Sequence, residues 1–143
     1  MKIWKYAVLF YGGGWAYLTM ELLFRGRSDP SMFLAGGLCF LLVGHLQRLE
    51  PRLPLPLRAV VGAAIVTAVE LAFGMAVNRN YTVWDYRSLP LNFMGQICLR
   101  FSLLWVGLSA VAMAVFSRLE RQLSRQEKVP GLLPGDLGIR FWA

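Results

Sequence analysis

Four apolar runs, separated by breaks too short to hold a soluble domain, constrain this 143-residue chain more than any other feature. A hydrocarbon core of about 30 Å takes roughly 17 to 25 apolar residues to cross as a helix, which pairs its backbone polar groups within the segment. Stretches at about 6–24, 32–49, 57–77 and 92–117 meet that length. Each gap carries breakers: Arg25 to Pro30, the run of Pro51, Pro54 and Pro56, and a longer segment from Asn78 to Leu91. The expected fold class is all-α, a polytopic membrane protein with four transmembrane helices and an ordered outer loop between helices three and four. Residues 1–117 make the transmembrane domain, and residues 118–143 a basic, partly interfacial cytoplasmic tail.

Composition excludes the competing classes. The chain is 57% hydrophobic and only 16% charged, against about 25% charged in soluble domains. Disorder needs more charge than this, and two cysteines, Cys39 and Cys98, are too few for a disulfide scaffold. A net charge of +7 raises nucleic acid as a partner, yet the basic residues stand in short clusters between apolar runs, which points to a membrane surface instead. The opening Met1-Lys2-Ile3-Trp4-Lys5 resembles the charged start of a signal peptide. No small-x-small cleavage pattern follows, and Glu21 and Arg25 interrupt where one is needed, so a retained span is expected.

Four spans put both termini on one side. That side holds ten of the fifteen Lys and Arg residues (Lys2, Lys5, Arg48, Arg52, Arg58, Arg118, Arg121, Arg125, Lys128 and Arg140) against four acids. The positive-inside rule makes it the cytoplasm of a cell-membrane protein, and the excess charge should attract anionic lipid headgroups.

Ionisable groups at membrane depth are costly and therefore mark candidate sites. Glu21 falls near the outer end of span one and Glu70 toward the outer side of span three. Thr67, Glu70, Gly74 and Asn78 share one helical face, and Asn92, Gln96 and Arg100 are expected to share another along span four. The outer loop adds Trp84, Asp85, Tyr86 and Arg87, so three spans and a loop converge in one leaflet. A carboxylate there binds polar ligands as half of an ion pair, or exchanges protons and cations if unpaired. The structural alternative is that Glu21 pairs with Arg25 at i+4, Glu70 with Arg100, and Asn92 or Gln96 bridges helices at about 0.6 to 2 kcal/mol each. As interfacial rings, Trp84 and Tyr86 would need no further explanation.

Other features point to packing. Ala64, Ala68, Ala72 and Ala76 repeat every fourth residue of span three, and Gly12 to Gly14 and Gly36-Gly37 suit close helix approach. The triple Gly lacks the Lys-Ser/Thr of a phosphate loop and sits inside an apolar run. His45, the only histidine, has no partner at ligand spacing, so neither a metal nor a cofactor is expected. Cys39 and Cys98 are expected to be buried thiols, and spacing leaves open whether they meet.

Gly14-Trp15 with Glu21, then Glu70, Trp84-Asp85-Tyr86-Arg87 and Asn92-x-x-Gly95-Gln96-Ile97-Cys98-Leu99 together resemble the CmpB-like family of ABC-transporter type IV permeases. The match runs in order over most of 14–105, with Arg87 where the family has Ser. The resemblance implies a small multispanning helical protein whose candidate site includes the matched Glu21, Glu70, Trp84, Asp85, Tyr86, Asn92, Gly95 and Gln96. It further implies a separate ATPase or an ion gradient as the energy source, because the chain has no nucleotide-binding motif. Three functions fit: a transport or solute-binding component with a polar outer-leaflet pocket, a membrane enzyme acting on a lipid headgroup, or a non-catalytic assembly subunit. Four spans make a thin wall for a pathway, so a homo-oligomer or larger membrane complex, surrounded by membrane lipids, is expected.

Overall fold

Pro30 cannot continue a preceding helix but suits the first turn of a following one, where its missing N–H would be unpaired in any case. Asp29 supplies the cap: its Oδ1 accepts from the Ser31 N–H at 2.9 Å and from the Ser31 hydroxyl at 2.6 Å. Those two bonds, the hydroxyl's first, hold the Asp29 carboxyl below its ordinary range. Across the turn Gly26 adopts φ 72° and closes the preceding helix through its N–H to the Leu22 carbonyl at 3.0 Å. The computed structural model describes residues 2–49 and 52–128. These signals bound α1 (Ile3–Arg25) and α2 (Pro30–Leu49) in it. Pro54 and Pro56 start α3 (Leu55–Val77), which ends on Asn78. A short antiparallel hairpin, β1 (Asn92–Phe93) with β2 (Ile97–Cys98), leads into α4 (Leu99–Lys128). All four helices are long and apolar enough to cross a membrane, and the fold is all-α apart from the hairpin.

The first three spans agree with expectation to within three residues, whereas the fourth is displaced at both ends. Expected over 92–117, it begins only at Leu99, because Leu91, Met94 and Gly95 take left-handed φ of 55°, 55° and 67°. Pro90 therefore lies in the loop and not in the first turn of α4. Asn92 and Gln96 sit on the hairpin, so they do not share a helical face with Arg100. At the other end no Gly or Pro interrupts Ser117 to Lys128, and the helix runs on through the first part of the expected tail. The rest of that tail, 129–143, lies outside the described residues.

α1 packs along α2, α2 against α3 and α4, and α3 against α4, while α1 and α4 scarcely touch. Glycines bring the first pair together: a Cβ on Gly13 would stand 2.5 Å from the Cβ of Phe40, and one on Gly36 would strike Tyr17. Val43, Ala59, Val66 and Met113 form the mid-bundle core. At the terminal end the α4 extension is tied down by polar contacts. Gln47 donates to the Met113 carbonyl at 2.7 Å and accepts from Ser117 at 3.0 Å, Arg48 pairs with Glu120, and Lys5 donates to Ser124 at 3.3 Å. The face carrying Ala64, Ala68, Ala72 and Ala76 is exposed, so this seam is not used between the chain's own described helices.

Candidate functional site

Asn78 organises the end of the bundle opposite the termini. Fully buried, it offers Oδ1 to the Val83 and Trp84 N–H groups at 2.9 and 3.2 Å. Its Nδ2 donates to the Trp84 carbonyl at 2.7 Å and to Gln96 Oε1 at 2.9 Å. Gln96 Nε2 donates back to the Asn78 carbonyl at 3.1 Å, and the Trp84 indole N–H donates to the Gln96 carbonyl at 2.9 Å. A buried backbone turn needs partners for each of its polar groups, and this pair of amides supplies them. Gly74 lies one turn before Asn78, and a Cβ there would run into Gln96 and sit 3.1 Å from the Trp84 ring. The 79–98 segment thus folds down as a cap over α3 and α4, with Trp84, Tyr86 and Cys98 in a core shared with Met32 and Ala35.

The exposed side of the cap is held by Asp85, Arg87 and Asn92. Arg87 Nε and Nη2 donate to the two oxygens of Asp85 at 2.9 and 2.8 Å, and the Arg87 backbone N–H adds a bond at 3.0 Å. The Arg87 side-chain bonds, and then its backbone N–H, hold the Asp85 carboxyl down to about 2. Its partner guanidinium is raised by the same pairing. Arg87 also lies over the Tyr81 ring at 4.1 Å, and Gly95 is required beneath it because a Cβ would come within 2.5 Å of Arg87 Cγ. Asn92 donates to the Leu89 carbonyl at 2.8 Å and accepts from the Gly95 N–H at 3.1 Å, closing the hairpin turn.

Glu70 is reached from the cap and from α4. Tyr86 donates its hydroxyl to Oε1 at 3.3 Å, and Trp105 its indole N–H to Oε2 at 3.4 Å. These donors stand in place of the expected Arg100, which lines a cleft instead, and Asp85 is turned outward to Arg87. Two ring stacks fix the donors: Tyr86 on Phe101 at 4.8 Å and Tyr17 on Trp105 at 5.9 Å. Below Glu70, Thr67 shares a 2.9 Å hydroxyl contact with Ser102.

The cleft lies where α1 and α4 diverge, has a volume of about 720 Å³, and is lined in part by Tyr17, Glu21, Tyr86, Arg100, Phe101 and Trp105. Of the nine expected site residues, Glu21, Tyr86 and Arg100 line it, and Glu70 stands behind it holding two of its lining side chains. Trp84 is 4% exposed and Gln96 likewise buried, so both belong to the cap's interior, and Trp84 is no interfacial wedge. Asp85, Arg87 and Asn92 are exposed on the cap and do not line the cleft. The Arg25 side chain, considered as a partner for Glu21, lies outside what is described. Tyr17, Phe101 and Trp105 were not singled out from the sequence. The detectable signal was Phe101, Trp105 and Leu108 at i, i+4 and i+7, one face of α4 next to Arg100.

His45 is packed between Tyr6 and Phe116 at 5.2 and 5.6 Å. Among the described residues no group of His, Cys, Asp and Glu is placed to hold a metal ion, and both cysteines are free thiols.

Four membrane-length helices, a hydrogen-bonded cap and an amphipathic cleft define a multispanning membrane protein with room for a ligand. The chain belongs to the family described as "Putative ABC-transporter type IV", the CmpB type, whose model matches residues 5–130. It is in that coarse sense a transport-related membrane component. No curated protein and no solved structure matches the chain.

Proposed function

We propose that this chain is the membrane-embedded, ligand-carrying component of a transport complex, and that its cargo occupies the cleft between α1 and α4. The observation that supports this reading is the gathering of Glu21, Tyr86, Arg100 and Trp105 around one opening of about 720 Å³, within the usual range for a small-molecule site. In this reading both termini and the α4 extension lie in the cytoplasm and the cap faces outward, which the ten-to-five division of basic residues supports. A separate ATPase or an ion gradient supplies the driving force. A second copy or a partner subunit completes the pathway that four helices are too few to enclose.

Reconstituted vesicles test it with two probes, a fluorescent phospholipid and a radiolabelled organic anion. Arg100→Gln, and Leu104→Trp in the cleft wall, should stop movement of whichever probe the wild type carries. Val60→Trp, on the exposed side of α3, should leave it unchanged. Movement undiminished in both cleft variants would remove the cleft from the pathway.

A further inference from the structure

The cleft does not end at Trp105. A second chamber of about 260 Å³ adjoins it between α1, α2 and α4, and Tyr17, Met20, Trp105 and Leu108 belong to the walls of both. Gly12, Phe40, Val43, Ala112 and Val115 line this chamber, which carries almost no polar surface. Gly12, Val111 and Val115 are exposed at its edge, so the groove opens sideways through the gap between α1 and α4 and not only toward the cap. The chamber wall adds the Ser109 hydroxyl, while charged groups are confined to one end. There Arg100 is exposed in the first turn of α4 and makes no hydrogen bond or ion pair among the described residues, while Glu21 already has a partner within the protein.

From Arg100 to Ala112 is twelve residues of one helix, about 18 Å at 1.5 Å per residue. Half of a hydrocarbon core is about 15 Å. A molecule with a charged group at Arg100 and an apolar tail of one leaflet's depth therefore matches the groove in length and in polarity. A small polar solute matches only the cleft and would leave the apolar chamber unfilled.

We infer that the groove between α1 and α4 is a lipid site: a lipid with an anionic headgroup enters from the bilayer, sets its phosphate at Arg100, and lays one acyl chain past the Tyr17–Trp105 stack into the chamber. This rests on the cleft being the ligand site and names the class of ligand. The guanidinium pairs with phosphate through parallel N–H···O bonds, and the chain replaces bilayer contacts with apolar wall. Because the opening is lateral, the ligand need not leave the membrane to bind.

The test uses the full chain in phosphatidylcholine vesicles doped with phosphatidylglycerol that carries a photoreactive diazirine in mid-chain. Cross-links should map to Phe40, Val43, Ala112 and Val115. Gly12→Leu should suppress them without loss of folded protein, because a Cβ at Gly12 meets no atom within 4 Å and the added side chain projects into free space at the chamber edge. Ala112→Trp provides a second blockade from α4, and Ala68→Leu on the exposed face of α3 should change nothing. Replacing the probe by its phosphatidylcholine analogue should lower labelling about fivefold, and Arg100→Gln should erase that preference, the scale of one basic residue against an anionic headgroup. Labelling spread evenly over α3 and α4 and indifferent to Gly12→Leu would overturn the site. Labelling in the chamber with no headgroup preference would overturn the anionic assignment. If the organic anion moves in an Arg100-dependent way while the chamber stays unlabelled, the lipid inference fails and the transport reading stands; if the chamber is labelled specifically but neither probe moves, the reverse holds.

Discussion

Removing the Asn78 side chain should open the cap while leaving the helices in place. In Asn78→Ala the Val83 and Trp84 N–H groups lose their acceptor, and the Trp84 carbonyl and Gln96 Oε1 lose their donor. Each buried polar group left unpaired costs about 1 to 3 kcal/mol, but water reaches part of this turn because Val83 is only half buried. Taking two of the four groups as remaining dry, at about 1 to 2 kcal/mol each, gives about 2 to 4 kcal/mol against the closed cap. Cys98 reports on it directly, being 3% exposed on β2 beneath the cap. In a Cys39→Ala background its labelling by a small maleimide follows the open population, provided opening and closing are fast. The rate should rise about 30- to 700-fold, at a factor of ten per 1.4 kcal/mol. Asn92→Ala, whose side chain bonds only to Arg87, Leu89 and Gly95 on the outer side of the cap, should have a much smaller effect. A labelling rate for Asn78→Ala within threefold of the parent would refute the claim that these bonds hold the cap.

Three further outcomes follow from the geometry. Thermal unfolding in detergent should separate neighbouring glycines: Gly13→Ala is opposed by the Phe40 side chain and should destabilise by about 1 to 3 kcal/mol, whereas Gly12→Ala should be neutral or slightly stabilising. The Asp85–Arg87 pair should withstand acid, because the carboxyl is held down to about 2 from an ordinary 3.8. Its contribution is complete above the higher value and is lost as pH falls through the lower, so the gap between Asp85→Asn and the parent should be as wide at pH 5 as at pH 7 and should close toward pH 2 when cap fluorescence is followed. Tags on both termini should be sealed from externally added protease in intact cells, and cleavage of either would invert the assigned orientation.

Where the sequence could be read and where it could not has a local cause in each case. The stripe of Thr67, Glu70, Gly74 and Asn78 holds in the structure because α3 is helical throughout, so a 3.6-residue period carries side chains to one face. The stripe of Asn92, Gln96 and Arg100 does not, since the same period was extended across a segment in which Met94 and Gly95 turn left-handed. A Gly after Met in an apolar run carries little sign of that turn; the decisive partners, Asn92 to Gly95 and Tyr86 to Gly95, are made only once the cap folds. Aromatic residues in a membrane span were silent for a different reason. Trp105 and Phe101 look like ordinary lipid-facing bulk until α1 and α4 are seen to part, and the gap between two helices is a tertiary fact that no single-helix pattern contains.

The matched motif and the cleft overlap in Glu21 and Tyr86, and of these only Tyr86 belongs to the cap, which allows their roles to be separated. Trp84 and Gln96 spend their polar groups on one another and on Asn78, while Asn92 and Gly95 bond each other, Leu89 and Tyr86, so substitutions at these four act on the cap and not on the cleft. Tyr86 alone both fills the cap core and lines the cleft, with its ring on Phe101 and its hydroxyl on Glu70. Tyr86→Phe keeps the ring stack and deletes one long hydrogen bond, which should cost about 1 kcal/mol. Trp84→Phe removes the indole bond to the Gln96 carbonyl and leaves a void in a closed core, about 2 to 3 kcal/mol together. If the cleft carries cargo and Glu70 sets its wall through Tyr86 and Trp105, Tyr86→Phe should impair probe movement more than Trp84→Phe per folded molecule, although it is the more stable of the two. A ranking in which movement simply tracks the amount of folded protein would mean that the hydroxyl serves only the cap, and that the cleft's polar wall is an accident of packing.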